Sequence, residues 1–276
     1  MTSLVDIAGN LTNKAFRDDL PTVLERAANA GVSAIVVAGV STTTSRRGWE
    51  MSAALRSSRS PTSDRLQLVA TSGIHPHHAS QASPEALVEI AELAREDGVV
   101  AIGECGLDYN RNFSTPAAQR RAFEAQLEIA SSTNKPVYLH ERDAHADFTE
   151  ILERWRPKLA GGVVHCFTGD RRMLERYLAM DLHIGFTGWI CDERRGLHLR
   201  ELVRLVPRGR LMVETDCPYI LPRDMRPQPA SRRNEPAFVV HVARAVAKHR
   251  GEDFADFAAH SSKTARTFFR LGQHTA

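Results

Sequence analysis

The most constraining feature of this sequence is a regular alternation of short apolar runs with amphipathic stretches. Eight runs have the length and composition of buried strands, and each is followed by a segment with helical spacing. This alternation predicts parallel strands joined by right-handed crossovers. A chain of 276 residues suits eight such units, because (β/α)8 barrels take about 250 residues. We expect an α/β fold, a (β/α)8 TIM barrel in which residues 1–276 form a single domain with an extra C-terminal helix.

The helices between the runs are predicted from the spacing of their apolar residues. A long loop rich in proline and arginine is expected at about 217–235, after the eighth run. The predicted helices are 18–30, 42–56, 84–96, 116–131, 143–155, 171–179 and 196–206, followed by 236–250 and 253–269. The alternative fold is a doubly wound open sheet, which places a glycine-rich phosphate-binding turn after its first strand. The segment 6–10, DIAGN, does not supply one.

Composition excludes several classes of protein. The net charge of +3 is too small for a histone-like binder. The four cysteines form no C-x-x-C pair, which argues against a zinc ribbon or a thioredoxin motif, and reduced cysteines are typical of the cytosol. The N-terminus lacks the pattern of a signal peptide, and no apolar run approaches the roughly 20 residues of a membrane span. We therefore expect a cytoplasmic protein that does not enter membranes.

The fourth run introduces the first candidate functional residue. Val99–Ile102 is apolar, and Gly103 then precedes Glu104. This pattern predicts a strand that ends at the glycine, with the carboxylate at its C-terminal end, where α/β barrels place their chemistry. A turn cap or an ion pair with a nearby arginine is the structural alternative for Glu104.

Chemically active residues also end other runs. In a parallel barrel all these ends meet at one face, so the residues are expected to lie together. Imidazole suits zinc, manganese and iron, and carboxylate suits magnesium and manganese. Any one of these residues alone could be a core or loop residue, but their joint occurrence predicts a metal site. The set is His75, Glu104, His140, His165 and Asp216.

Three cysteines directly follow proposed ligands: Cys105, Cys166 and Cys217. Because side chains alternate along a strand, these thiols should point away from the ligands. The alternative is a mixed cysteine and histidine zinc site, which would need neighbouring side chains to point the same way.

Basic residues near the same face suggest the substrate. A bound metal creates a nucleophile from water at neutral pH, which makes a hydrolase the default. Guanidinium groups suit phosphate, and Trp189 could stack a base. The alternative is a solvated loop whose arginines pair with Asp192, Glu193, Asp224 and Glu235. The arginines concerned are Arg194, Arg195, Arg223, Arg226, Arg232 and Arg233.

Five motifs resemble the TatD family of metal-dependent deoxyribonucleases, over about residues 4–270. They are GECGLD at 103–108, LH at 139–140 with RDAH at 142–145, VHCFTG at 164–169, ETDCPY at 214–219 and SRRNEP at 231–236. The resemblance implies an amidohydrolase-like barrel and a cytoplasmic, Mg²⁺-dependent 3′-to-5′ exonuclease, with Mn²⁺ or Zn²⁺ as alternative ions. It further implies single-stranded DNA as substrate, RNA as a second candidate, and a role in DNA repair. A monomer is expected.

The resemblance also assigns residues. By motif, Glu104, His140, His165 and Asp216 would be the metal ligands, and His75 would contact the substrate or act in catalysis. Most of the wider family begins Asp-x-His-x-His, whereas Ala8 and Asn10 stand in place of both histidines here. We therefore expect one well-defined metal and a second that is weak or arrives with substrate phosphates. The amide oxygen of Asn10 suits a hard cation.

The expected mechanism is metal-assisted hydrolysis of a phosphodiester. Glu104 holds the ion, Asp216 orients the attacking water and serves as general base, and the loop arginines stabilise the transition state. Asn10, Trp189, Arg223, Arg232 and Arg233 are the candidate substrate contacts.

Two alternative functions remain at this point. The first is a small-molecule amidohydrolase such as a lactonase, many of which carry a carbamylated lysine where this chain has Glu104. The second is a non-catalytic nucleic-acid-binding barrel, against which the full set of ligands argues.

Overall fold

Eight parallel strands form one sheet in the computed structural model, which describes residues 3–272. Each strand pairs with the next one in the chain, and a bridge between Gly9 and Cys217 closes the sheet. The (β/α)8 prediction is therefore confirmed. The strands are β1 (Leu4–Gly9), β2 (Val32–Val37), β3 (Gln67–Ser72), β4 (Val99–Asp108), β5 (Val137–Arg142), β6 (Gly162–Val164), β7 (His183–Phe186) and β8 (Leu211–Val213).

Helices surround the sheet, and several begin at a residue that caps them. Ser41 and Thr44 form a reciprocal capping box, and Thr115 accepts from the amide of Ala118, which satisfies amides that lack a partner within the helix. The helices are α1 (Leu20–Asn29), α2 (Thr42–Ser57), α3 (Pro84–Leu93), α4 (Pro116–Thr133), α5 (His145–Trp155), α6 (Arg171–Ala179), α7 (Leu199–Leu202), α8 (Val239–Arg250) and α9 (Phe254–Phe268).

The apolar core has two layers because side chains alternate across each strand. On β2, Ile35 packs outward against the helices, whereas Ala34 and Val36 face the barrel interior. Phe268 and Phe269 belong to the interior cluster. The extra C-terminal helix α9 thus covers the amino-terminal end of the barrel, and the opposite end is left for polar side chains.

The largest departures from the predicted boundaries are in β4 and in the helix predicted at 196–206. Strand β4 does not end at Gly103 but runs to Asp108, so Glu104 lies within the strand. Gly103 and Gly106 have φ of +139° and +143°, and a Cβ on either would meet a carbonyl oxygen of β5. These glycines therefore admit the neighbouring strand instead of ending their own.

The predicted helix 196–206 was also wrong in length. It consists of the short α7 followed by a 3₁₀ turn, Val203–Leu205, and Pro207 follows where a helix cannot continue. Among residues 3–272, no helix is long and apolar enough to cross a membrane.

Candidate metal centre

Three histidine rings converge on one carboxylate oxygen at the carboxyl-terminal end of the barrel. Glu104 Oε1 lies 2.8 Å from His140 Nδ1 and 2.8 Å from His165 Nε2. The same oxygen lies 3.2 Å from His75 Nε2, and the facing nitrogens of His140 and His165 are 3.3 Å apart. The segments β3 to β6 thus bring together four of the five residues predicted to form the site.

Two buried carboxylates stand behind these rings. Asp108 Oδ2 lies 2.8 Å from His77 Nε2 and 3.4 Å from His140 Nε2. Glu214 Oε1 lies 3.7 Å from His165 Nδ1. A carboxylate behind a ring nitrogen fixes the orientation and tautomer of an imidazole that binds a metal through its other nitrogen.

Asp216, the fifth predicted residue, follows β8 and is anchored to β1. Its amide donates to the carbonyl of Ala8 at 2.9 Å, and Asn10 Nδ2 donates to its Oδ1 at 2.8 Å. Asn10 was predicted as a contact for substrate or metal, and the structure directs its amide nitrogen to Asp216. This contact fixes one carboxylate oxygen of Asp216.

The electrostatics differ between the two predicted carboxylate ligands. Burial opposes the ionisation of Glu104, but His165 and His75 outweigh it and hold the pKa of Glu104 well below its usual value. Burial raises the pKa of Asp216 to about 7, a shift that Glu104 reinforces. One carboxylate is therefore firmly ionised, while the other can exchange a proton near neutral pH.

The donor set fits a divalent cation. The side chains of His75, Glu104 and His140 each offer a ligand atom within 4.8 Å of the others, and His165 Nε2 faces the same carboxylate oxygen. Converging carboxylate and imidazole donors suit magnesium, manganese or zinc. His75 differs from the other rings because its Nδ1 accepts from the amide of His77 at 3.0 Å. Its Nε2 therefore carries the proton and donates toward Glu104.

The cysteines that follow the predicted ligands differ in their surroundings. Cys105 and Cys217 are buried in the outer apolar cluster, as predicted from strand alternation. Cys166 instead has its Sγ 3.7 Å from Thr187 Oγ1. The thiols of Cys105 and Cys217 are thus occupied in core packing.

The predicted substrate residues have varied surroundings. Arg232 is exposed, and Arg223 is exposed with its Nε 3.6 Å from Asp192 Oδ2. Trp189 is half-buried, with the guanidinium of Arg195 5.8 Å from its ring centroid. These side chains remain candidates for contact with a nucleic acid.

Arg233, in contrast, is engaged in ion pairs. It donates to Asp19 at 2.8 and 2.7 Å and to Glu235 at 2.8 Å, and its guanidinium lies 5.1 Å from the Phe16 ring centroid. Arg26 pairs with Glu235 as well. The geometry of Arg233 therefore matches the alternative interpretation, in which the loop arginines pair with acidic residues.

Sequence reasoning missed several residues of this face. His77, Asp108 and Glu214 form the layer behind the ligands, and Phe113 is 65% exposed with its ring centroid 4.8 Å from that of His77. Period-two alternation could have found Asp108, since it shares a face of β4 with Glu104. Nothing in the local sequence marks Phe113.

Comparisons with known proteins identify the family to which the chain is similar. The family described as "TatD related DNase" matches residues 5–270. A protein from Pantoea vagans named "3'-5' ssDNA/RNA exonuclease TatD" is 49% identical over 268 residues, covering 97% of this chain and 100% of the relative. The solved structure of a TatD homologue, YJJV from Escherichia coli, has a TM-score of 0.84 at 27% identity and covers 98% of each chain.

A second solved structure supports the fold alone. The TatD family hydrolase from Entamoeba histolytica has a TM-score of 0.85 at 24% identity, covering 97% of this chain and 98% of that one. The family match and the 49% identity each extend over nearly the whole chain. The chain belongs to the TatD family of related DNases.

Proposed function

We propose that this protein is a metal-dependent nuclease that removes nucleotides from the 3′ end of single-stranded DNA, with RNA as a second substrate. The relatives' name and the family support the reaction and the substrate class. The observation that carries the proposal is the convergence of His140 and His165 on Glu104 Oε1, both at 2.8 Å. Such a centre suits phosphodiester hydrolysis because a bound cation can face a phosphate oxygen.

In this proposal Glu104, His140 and His165 hold the ion, which we expect to be Mg²⁺, and Asp216, the fourth predicted ligand, orients the attacking water. When bound, the ion lowers the pKa of water and offsets phosphate charge. Asp216 takes the proton of the attacking water through Oδ2, because Asn10 already occupies Oδ1.

His75 acts as a neutral hydrogen-bond donor in this proposal. Burial lowers the pKa of His75 to about 4, so the ring stays uncharged near neutral pH. Its Nε2–H can donate to Glu104 or to a substrate phosphate that enters beside it.

The substrate strand would be held by charge and stacking. Exposed Arg223 and Arg232 suit phosphates, and Phe113 and Trp189 offer ring faces or edges to bases. A cavity of about 570 Å³ lies between the loops after β5 and β6, and its lining includes Arg142 and Thr168. This space at the carboxyl-terminal end of the barrel is large enough for a nucleotide.

A cytoplasmic location, a monomeric state and a role in DNA repair complete the proposal. All four cysteines are free in the structure, which is typical of proteins from a reducing compartment.

The decisive experiment compares digestion of 3′- and 5′-labelled single-stranded DNA by the wild-type protein and by Glu104→Gln, with Mg²⁺ or with EDTA. We expect progressive loss of the 3′ label only with Mg²⁺. Glu104→Gln should reduce the rate by more than the roughly 100-fold that loss of an outer hydrogen-bond partner of a metal ligand costs. Wild-type rates in that variant would refute the role of Glu104.

The same protein should be tested on a panel of lactones and cyclic amides. Hydrolysis of a lactone without cleavage of DNA would favour a small-molecule amidohydrolase. DNA binding that resists EDTA, without cleavage, would favour a non-catalytic binding barrel.

A further inference from the structure

A second group of side chains of metal-ligating types shares no residue with the Glu104 centre. The Sγ of Cys191, a carboxylate oxygen of Asp224 and a ring nitrogen of His241 all lie within 4.8 Å of one another. His241 Nε2 is 2.7 Å from Asp224 Oδ1. None of these residues has a role in the proposed nuclease reaction.

Three separate segments build this group. Cys191 ends the 3₁₀ helix Gly188–Cys191 after β7, which begins where Thr187 accepts from the amide of Trp189. Asp224 lies in the loop after β8, and His241 lies in the first turn of α8. Because no short spacing in the sequence links the three residues, their convergence is a property of the fold.

The three side chains of this group differ in how far they are exposed to solvent. Cys191 is 1% exposed, whereas the side chains of His241 and Asp224 are 31% and 47% exposed. The thiol is therefore fixed in the protein interior, and the imidazole and carboxylate stand between it and solvent. This arrangement gives an ion access from one side.

We infer that Cys191, Asp224 and His241 bind a zinc ion. Zinc takes sulfur, imidazole nitrogen and carboxylate oxygen in tetrahedral sites, and three protein ligands leave the fourth position to water. A thiolate and a carboxylate together balance the charge of Zn²⁺. Magnesium and calcium are disfavoured because they prefer all-oxygen sites.

The neighbouring arginines make their polar contacts with groups other than the carboxylate of Asp224. Arg223 directs its Nε toward Asp192 at 3.6 Å, and Arg200 donates to the carbonyl of Ile190 at 3.2 Å. Asp224 instead contacts His241 and the thiol of Cys191, and it also acts electrostatically on His249. An aspartate on an arginine-rich loop therefore turns toward a histidine and a thiol.

The zinc would tie the loop after β8 to α8 and to the 3₁₀ helix after β7. Arg223 directly precedes Asp224, and Trp189 lies two residues before Cys191. The ion would therefore fix the backbone beside two candidate substrate contacts. This inference stands whether or not the proposed nuclease function is correct.

Cobalt provides a direct test, because Co²⁺ replaces zinc and a thiolate ligand adds a charge-transfer absorption in the near ultraviolet. The full-length protein is stripped with a chelator and titrated with Co²⁺. We expect the band in the wild-type protein and in Cys166→Ser, which alters the cysteine near the Glu104 centre, and no band in Cys191→Ser. Absence of the band in the wild-type protein, or its survival in Cys191→Ser, would overturn the inference.

Zinc affinity, measured by competition with a chromophoric chelator, keeps the test valid if Cys191→Ser does not fold. His241→Ala and Asp224→Asn change partly exposed side chains, and each should weaken the site by about 100-fold. Because zinc also suits the Glu104 centre, the competition is fitted to two sites, and Glu104→Gln should change only the affinity of that centre. Equal zinc affinity in His241→Ala, Asp224→Asn and the wild-type protein would refute the site.

Discussion

The two ends of the barrel carry cavities of similar size and different chemistry. The cavity at the carboxyl-terminal end measures about 570 Å³ and lies among the loops that follow β5 and β6. The cavity at the amino-terminal end measures about 510 Å³ and is rich in basic side chains. Its polar lining includes Arg156, Asp181, His183, Arg208, Arg210, His260, Lys263 and Arg270.

The ends differ in how their charges are satisfied. At the amino-terminal end, Arg156 and Arg210 both pair with Asp181, and helix α9 packs over the strands. At the carboxyl-terminal end, His140 and His165 direct ring nitrogens toward each other and toward Glu104. Volume therefore does not distinguish the ends. The ends differ in that the carboxyl-terminal end carries converging imidazole and carboxylate donor atoms that can bind a cation. This is the end at which barrel enzymes carry their active sites.

The strongest test of this comparison makes the same substitution at both ends. His140→Gln removes a proposed ligand and should reduce Mg²⁺-dependent digestion of single-stranded DNA by more than about 100-fold. His183→Gln alters a histidine of the amino-terminal cavity and should leave the rate within about twofold, because that face of a barrel serves stability. Initial rates at saturating substrate measure both effects.

Circular dichroism and thermal unfolding of both variants control for misfolding. A comparable loss of activity in the two folded variants would mean that the ends do not divide chemistry from stability as proposed.

A smaller effect should separate two neighbouring arginines at the carboxyl-terminal end. Arg233→Gln breaks the contacts with Asp19 and Glu235 and should lower the free energy of unfolding by about 1–2 kcal/mol. Arg232→Gln, the matched change at the exposed neighbour, should leave stability unchanged and lower the salt slope of DNA binding by about one. Urea denaturation measures the stability of each variant, and DNA binding at several salt concentrations measures the salt slope. A loss of stability in Arg232→Gln alone would show that Arg232, not Arg233, has the structural role.

Much of the fold could be predicted from sequence because two periodicities alternate eight times. The ends of the strands also pointed to His75, Glu104, His140 and His165, since parallel strands end at one face. The structure brings those four side chains together, while their chemical roles stay a prediction. Asp216 follows the same logic at the end of β8.

The layer behind the ligands was missed for a physical reason. The sequence pattern predicts that β4 ends at Gly103, although this glycine is present because a carbonyl of β5 leaves no room for a side chain. Ending the strand there removed Asp108 from consideration. The group of Cys191, Asp224 and His241 was out of reach for another reason, since its members come from three segments that only the closed barrel brings together.

The smallest predicted effect concerns pH and the amino-terminal end alone. Burial lowers the pKa of His183 from 6.5 to about 4, and Arg156 adds to the shift. The ring also packs on Phe268, with centroids 4.7 Å apart, and shares its cavity with Asp181, Arg208, Arg210, His260, Lys263 and Arg270. Below pH 6.5 the unfolded chain therefore takes up a proton that folded His183 does not, so stability falls as the pH drops toward 4.

Between pH 6.5 and pH 5 this uptake should cost about 1 kcal/mol, less than the full linkage value because water reaches part of the ring. Urea denaturation across this range should show that His183→Gln loses less stability than the wild-type protein. His198→Gln is the matched control, since it replaces an exposed histidine outside this cavity, and comparison with it isolates the contribution of the buried ring. Parallel curves for His183→Gln and the wild-type protein would show that the basic cavity imposes no cost on protonation, and the contrast between the ends would then rest on Glu104 and its histidines alone.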